Sequence, residues 1–111
     1  MLKAYWAYDF ACDQSLETIL AALNSAGPWR WVLSESAVYG DYLNCRPEEH
    51  VRARLHEYPQ MLFVGLRDKG FSALLEIRAE SMATRFEIDG VFQRLLQEID
   101  ATNITEIEPY D

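Results

Sequence analysis

The stretch MLKAYWAYDFACDQSLETILAALNSAGP, residues 1–28, changes its hydrophobic period once and thereby decides the fold class. In its first ten residues apolar side chains occupy every second position, which predicts a strand with one buried face. Further along, apolar side chains fall three and four residues apart, which predicts an amphipathic helix. Asp13 or Ser15 can cap the start of this helix, and Gly27 followed by Pro28 can end it. A strand and a helix with one apolar face each predict a sheet covered by helices.

A second helix is predicted near the C-terminus. Six apolar residues between Ile88 and Ile99 keep helical spacing over three turns. Thr84 and Glu87 form a T-x-x-E capping box just before them. Gly90 disfavours a helix interior by about 1 kcal/mol, so it predicts either a close contact with the sheet or a later helix start. A short final strand is predicted over residues 104–109.

The region between the helices, from Trp29 to about Glu80, is predicted to form several antiparallel strands. Glu48-Glu49 is also compatible with the start of a short helical turn. The Asp-Lys-Gly sequence at 68–70 is a hairpin signal, because glycine readily supplies a positive φ. Breaks between strands are predicted at Gly40-Asp41, Arg46-Pro47, Tyr58-Pro59 and Asp68-Lys69-Gly70.

The order of elements predicts an α+β two-layer sandwich in one domain spanning residues 1–111. We expect an antiparallel sheet of about five to six strands with two helices packed on one face. This order is similar to the ferredoxin-like split βαβ arrangement, with an enlarged central hairpin region. The resemblance implies a fold and leaves the function open, because such folds host many unrelated functions.

The charge of the chain limits the class of partner. With 18 acidic and 10 basic residues, its formal net charge is −8 at pH 7. This disfavours nucleic acid, whose phosphates attract clustered Lys and Arg, and it disfavours anionic membrane surfaces. It favours a basic protein partner or a cationic ligand, although solubility alone also accounts for such a charge.

The chain is expected to be cytoplasmic. No window approaches 18 consecutive apolar residues, and the N-terminus lacks the pattern of a secretory signal. Cys12 and Cys45 are expected to serve as small apolar core residues of a reducing compartment. A single disulfide between them stays open as the alternative.

Motifs for catalysis or cofactor binding are lacking in the sequence. His50 and His56 would lie about 20 Å apart on one strand, so we expect no metal site. The scattered glycines form no phosphate-binding loop, and we expect no cofactor. A Cys45–His56 pair is conceivable as nucleophile and base, and Glu35 and Asp41 are conceivable acid–base groups. The alternatives are an inert thiol and two carboxylates that lie in turns facing water.

A basic window interrupts this acidic chain between residues 46 and 56. It holds three arginines and both histidines against two glutamates. By alternation, Arg52, Arg54 and His56 share the strand face opposite the helices, where they form a candidate anion site on an open sheet face. The alternative is that cross-strand ion pairs with Glu76, Glu80 or the acidic C-terminus occupy these side chains.

Two further binding surfaces are predicted. Trp29 and Trp31 are expected in the core, whereas a Tyr-Gly-Asp-Tyr turn at 39–42 presents two phenols, a type of group that suits recognition. The stretch from residue 97 to the C-terminus has five carboxylates and no positive charge, which suits a basic partner. The candidate binding residues are Tyr39, Asp41, Tyr42, Arg46, Arg52, Arg54, His56, Glu106, Glu108 and Asp111.

Three functions remain open. The first is a non-catalytic, acidic interaction protein that binds and neutralises a basic protein partner, a profile that small bacterial immunity and antitoxin proteins share. The second is a small enzyme or ligand-binding domain that holds an anionic small molecule on the open sheet face. The third is a subunit of a homodimer or larger homo-oligomer that buries this face against a second copy.

Overall fold

The computed structural model describes residues 1–37, 40–57 and 69–109. Within these ranges the chain forms six strands and two helices, which confirms the α+β class and the upper limit of the expected strand number. In chain order they are β1 (Leu2–Cys12), α1 (Leu16–Ala26), β2 (Trp31–Ser36), β3 (Gly40–Glu48), β4 (Val51–Glu57), β5 (Lys69–Arg78), α2 (Arg85–Glu98) and β6 (Thr102–Ile107).

The six strands form one sheet in the order β2-β3-β4-β5-β1-β6. All of the described strand pairings are antiparallel. Strands β2 to β5 follow one another as a meander, and β1 then lies between β5 and β6. Strands β2 and β6 are therefore the two edges of the sheet, each with one neighbouring strand.

Both helices begin at the caps that the sequence predicts. The Ser15 hydroxyl accepts the N–H of Thr18 at 3.2 Å, and Thr84 and Glu87 form the reciprocal capping box of α2. Gly27 ends α1 with a φ of 62°, and its N–H donates to the carbonyl of Leu23 at 3.1 Å. These local bonds satisfy backbone groups that a helix leaves unpaired at its ends, and each cap contributes about 1 kcal/mol.

The core is built from one alternating set of strand side chains and the apolar stripes of both helices. Burial of each large member contributes about 1.5–3 kcal/mol relative to an exposed side chain. The predicted burial of the apolar set of β1, β4 and β5 and of both tryptophans is confirmed. The prediction of a single buried face was wrong for the central strands β1 and β5, because Ala7, Ser72 and Leu74 on the opposite face are buried as well. Buried cluster members include Trp6, Tyr8, Phe10, Trp29, Trp31, Leu43, Val51, Ala53, Leu55, Phe71, Ala73, Leu75, Ile77, Ile19, Leu23, Ile88, Phe92, Leu95 and Leu96.

Several predicted breaks were wrong. Trp29 precedes β2 instead of lying in a strand, and Gly40-Asp41 opens β3. Arg46-Pro47 lies inside β3, because a register shift between Cys45 and Glu48 accommodates the proline without ending the strand. The chain reverses instead at Glu49 and His50, which separate the paired residues Glu48 and Val51. The turn residues alone did not reveal this because pairing depends on the neighbouring strand.

The remaining turn and helix predictions differ in detail. Lys69 and Gly70 belong to β5 and pair with β1, so neither lies in the predicted turn, whereas Asp68 lies outside the described residues. The predicted break at Tyr58-Pro59 lies outside the described residues. Gly90 lies inside α2, and a Cβ atom added there would meet no atom within 4 Å, so this glycine marks neither a close contact nor a helix start. The final strand begins at Thr102, two residues earlier than predicted. Neither described helix has the length and apolar character that crossing a membrane requires.

Candidate functional site

The predicted site residues do not come together in one place. Asp41, Tyr42 and Arg46 lie in β3, with the first two inside the strand and not in the predicted turn. Arg52, Arg54 and His56 follow one face of β4. Glu106 lies in β6 and Glu108 just after it. Tyr39 and Asp111 lie outside the described residues.

The arginines of β4 are partly engaged in cross-strand contacts. An Nη2 nitrogen of Arg54 lies 3.3 Å from Oε1 of Glu76, and both side chains are largely shielded from solvent. Nε of Arg52 donates to Oδ1 of Asn44 at 3.1 Å. The alternative of structural ion pairing therefore holds for Arg54, whereas Arg52 is oriented by a neutral amide and keeps its positive charge available.

A polar row crosses the centre of the sheet on the face of these arginines. Cross-strand pairing places Tyr42 beside His56, His56 beside Ser72, and Ser72 beside Asp9. His56 is only 8% exposed and Ser72 is fully buried. Burial lowers the pKa of His56, nearby Arg54 lowers it further, and Asp9 opposes both effects. The expectation of an open face with a basic histidine is wrong at this point, because His56 is buried and its neutral form is favoured.

A charged cleft opens beside the β3–β4 turn. Its volume is about 330 Å³. Cross-strand pairing aligns Arg52 with Glu76, and the N–H of Arg78 donates to the carbonyl of His50 at 2.8 Å, so the turn and the end of β5 are held together. We name this feature the arginine cleft; its charged and titratable lining residues are Arg46, Glu49, His50, Arg52, Glu76 and Arg78.

One of the C-terminal carboxylates has a structural partner. Glu106 accepts a bond of 2.7 Å from Arg85 of α2. The same guanidinium lies 4.9 Å from the centre of the Trp6 ring. Arg85 thus links α2, β1 and β6, which removes Glu106 from the carboxylates that are free to meet a partner, whereas Glu108 is exposed.

Neither cysteine supplies a nucleophile. Cys12 and Cys45 are free thiols and both are buried. Burial raises the pKa of Cys45 to about 12, so its reactive thiolate form is strongly disfavoured at neutral pH. Cys45 pairs with the core residue Ala53, whereas His56 lies on the opposite face of β4. The conceivable Cys45–His56 pair is therefore not assembled.

Within the described residues, the outer side of β2 is closed at one residue. The side chain of Asn24 accepts the N–H of Trp31 at 2.6 Å and donates to its carbonyl at 3.0 Å. Asn24 thus occupies the position that a further strand would take. Because bonding direction alternates along an antiparallel strand, the N–H and C=O groups of Leu33 and Glu35 point to the same outer side. In the described part of the chain, these four groups have no partner.

The side chains along this edge combine apolar and acidic character. Val32 is 50% exposed and Leu33 is 44% exposed. Glu35 and Asp41 are directly opposite each other on β2 and β3 and both are exposed. We name this feature the β2 edge surface: the outer backbone groups of Leu33 and Glu35 with the side chains of Val32, Leu33, Glu35 and Asp41.

Like charges directly opposite each other in a sheet destabilise it, because their Cβ atoms lie about 4.5–5.5 Å apart. No Lys or Arg of the described residues forms an ion pair with Glu35 or Asp41. In the described part of the chain, two carboxylates without a cationic partner therefore lie side by side at the rim of the β2 edge surface, an arrangement that favours a cationic group between them.

The sequence did not predict those residues of the arginine cleft and of the β2 edge surface whose position depends on strand register. Val32 and Leu33 carry no signal of exposure, and the alignment of Glu35 with Asp41 follows from the length of the β2–β3 connection. Arg78 joins the cleft because β5 is paired with β4. The chain matches no protein-family model, and no curated protein is significantly similar to it.

Proposed function

We propose that this chain is a non-catalytic interaction protein that binds a basic protein partner, and that the β2 edge surface receives an extended segment of that partner. The observation that carries the proposal is the contrast along β2. Asn24 satisfies the outer groups of Trp31, whereas those of Leu33 and Glu35 have no partner in the described part of the chain.

An added strand is the simplest occupant of such an edge. Backbone bonds to the two outward-facing residues would give affinity, and the side chains beside them would give specificity. Natural sheets usually protect their edges with lysine, proline or a bulge. Residues 31–36 contain no lysine or proline, and their pairing with β3 has no register shift. Leaving this strand regular and partly apolar is explained if another chain covers it.

The charge of the surface favours a basic partner. A lysine or arginine side chain that reached between Glu35 and Asp41 would relieve their mutual repulsion. The described surface as a whole is negatively charged, like the β2 edge surface, with twelve exposed carboxylates and six exposed Lys or Arg side chains. Such an excess attracts a basic protein at long range and raises its association rate.

The rest of the proposal follows the sequence-based expectations. The scaffold would be a two-layer sandwich with a ferredoxin-like order of elements, and the protein would act in the cytoplasm. Binding of this kind would let the chain neutralise its partner, as expected for a protein with an immunity-like or antitoxin-like profile.

The experiment is an affinity capture from a lysate of the source organism with the tagged chain, followed by kinetics on the purified captured protein. We expect a basic protein whose association rate falls steeply as salt is raised, because surface charges are screened. The variant Glu35→Lys/Asp41→Lys is expected to lose about tenfold or more in affinity, a loss typical of reversing charges that meet a charged partner.

The matched comparator is Glu98→Lys/Glu108→Lys, which changes the net charge equally but alters exposed residues of the acidic C-terminal stretch. It is expected to slow association slightly and to leave dissociation unchanged. If this comparator abolishes binding while the β2 variant does not, the partner binds the C-terminal stretch and the proposed site is wrong. If light scattering shows that the chain pairs with a second copy through β2, the homo-oligomer replaces the basic partner.

A further inference from the structure

We propose that the arginine cleft binds the phosphoryl group of a small phosphomonoester. This inference is independent of the proposed function, because the cleft lies at the β3–β4 turn and the end of β5, whereas the β2 edge surface involves β2 and the start of β3. Both features can exist in one protein, and either can fail without the other.

The lining of the cleft has an excess of positive charge, although exposed Glu80 outside the lining interacts electrostatically with His50 and Arg78. Three arginines face two glutamates in the lining, and Glu76 already forms its ion pair with Arg54 from outside the cleft. Among the described residues, no carboxylate lies within ion-pair distance of Arg46, Arg52 or Arg78. In a chain with a net charge of −8, this is a local reversal of sign that an anion would stabilise.

The cleft is also built in a defined geometry. Arg52 is oriented by the bond from its Nε to Asn44, and this bond does not use its two terminal nitrogens, which can therefore bind an anion. The backbone bond from Arg78 to His50 fixes the distance between β5 and the turn. Arg46 stands on β3, where the register shift after Cys45 changes the direction of the strand. Three arginines from three strands therefore line one space.

The number of donors selects the class of ligand. One arginine can bind a carboxylate through two parallel bonds, so a single carboxylate would leave two guanidinium groups without an anionic partner. A phosphomonoester carries a charge of about −1.5 to −2 at neutral pH and three strong acceptor oxygens. Its charge matches the excess of the cleft once Glu76 is assigned to Arg54.

The second carboxylate of the lining, Glu49, is counted in this excess and does not block a bound anion. The side chain of Glu49 is 87% exposed and lies 3.8 Å from His50, with the carboxylate largely in water. Exposed charges of this kind are well screened and can rotate away from a bound anion. The volume of about 330 Å³ is at the small end of ligand sites, which suits a phosphoryl group with a short organic substituent.

The experiment is an NMR titration of the side-chain N–H signals of the arginines in chloride-free buffer. The probes are inorganic phosphate, glycerol phosphate, acetate and unmodified glycerol. We expect saturable shifts at Arg46, Arg52 and Arg78 with the two phosphates, at least about tenfold weaker binding of acetate, and no response to glycerol. Vesicles that contain phosphatidic acid test whether the same chemistry on a lipid is bound instead.

The variant Arg78→Gln is expected to weaken binding of glycerol phosphate by about tenfold or more, since one charged bond contributes about 1.5–3 kcal/mol. Arg94→Gln removes an exposed arginine of α2 and is expected to change nothing. Backbone spectra report whether each variant is folded. Shifts that do not saturate, equal effects of the two variants, or binding to the vesicles alone would overturn the proposal.

Discussion

The two edges of the sheet are built differently, although each has one neighbouring strand. β2 pairs with β3 without interruption, and among the described side chains one, that of Asn24, closes outer backbone groups of β2, at Trp31. β6 pairs with β1 through a register shift, and within it Asn103 has a positive φ of 54°. A bulge of this kind distorts the edge and disfavours further pairing.

The side chains of the two edge strands also differ. β2 is anchored in the core by Trp31 and exposes Val32 and Leu33, whereas β6 is tied to the molecule through the ion pair of Glu106 with Arg85. One edge is thus regular and exposes apolar side chains beside Glu35 and Asp41, whereas the other is distorted by a bulge and has its Glu106 held in an ion pair. This contrast favours β2 over β6 as the place where another chain pairs, and each prediction below tests one part of it.

The largest expected effect concerns the anchors of the two edges. Trp31→Ala removes a side chain that is 2% exposed and is expected to lower the free energy of unfolding by about 3–5 kcal/mol. Ile104→Ala on β6 removes a side chain that is 38% exposed and should cost about 1 kcal/mol or less. Urea unfolding measures both values. Equal losses would show that the edges are attached in the same way.

The second prediction uses proline to separate the two sides of β2. In Ser34→Pro the lost N–H points toward β3, so the variant should be destabilised by about 3 kcal/mol or more. In Leu33→Pro the lost N–H points outward, where proline is tolerated, so the chain should still fold while partner binding weakens about tenfold or more. Unfolding curves and binding isotherms give the two readouts. Full binding by the folded Leu33→Pro variant would exclude strand addition at this edge.

The third prediction concerns the attachment of β6. Arg85→Gln removes the ion pair with Glu106 and the contact with the Trp6 ring. Because the ion pair is half exposed, we expect a total loss of only about 0.5–1.5 kcal/mol in the free energy of unfolding. Hydrogen exchange should become faster in β6 and stay unchanged in β2. Faster exchange in β2 instead would contradict the independence of the two edges.

The smallest expected effect has the opposite sign. Glu35→Gln or Asp41→Asn relieves the repulsion between these two carboxylates and should stabilise the free protein by about 0.2–1 kcal/mol. High salt should reduce the gain, because the repulsion is screened. Glu108→Gln serves as the control that changes the net charge equally. Destabilisation of both variants at low salt would mean that Glu35 and Asp41 do not repel each other in the free protein, so that a cation would gain little by binding between them.

The fold was predictable from the sequence where the signal is local. The apolar core positions of β1, β4 and β5, the helical stripes and the caps at Ser15 and Thr84 depend on neighbours a few residues away, and all of them are confirmed. The burial of the opposite face of β1 and β5 was not predicted, because it depends on the central place of these strands in the sheet. The turn at Arg46-Pro47 was wrong because a strand can continue through proline when its partner strand supplies the remaining bonds. The turn at Gly40-Asp41 was misplaced, because these residues begin β3 and pair with the end of β2.

The candidate sites were less predictable for the same reason. Arg46, His50 and Arg52 are visible as a basic window, but Arg78 joins them only through the pairing of β4 with β5. Which outer backbone groups of β2 are bonded depends on Asn24 of α1, whose side chain reaches the N–H and C=O of Trp31. No pattern within β2 itself could predict which of its backbone groups that side chain closes.

The most direct test of the central claim is site-specific photo-crosslinking in the source organism. A photoreactive phenylalanine analogue replaces Val32 on β2 in one strain and Ile104 on β6 in another, both being exposed positions of edge strands. If a basic partner adds a strand at the β2 edge surface, irradiation links position 32, but not position 104, to a basic protein, and Leu33→Pro abolishes the product. A product at position 104 alone, or a product at position 32 that consists of two copies of this chain, would contradict it.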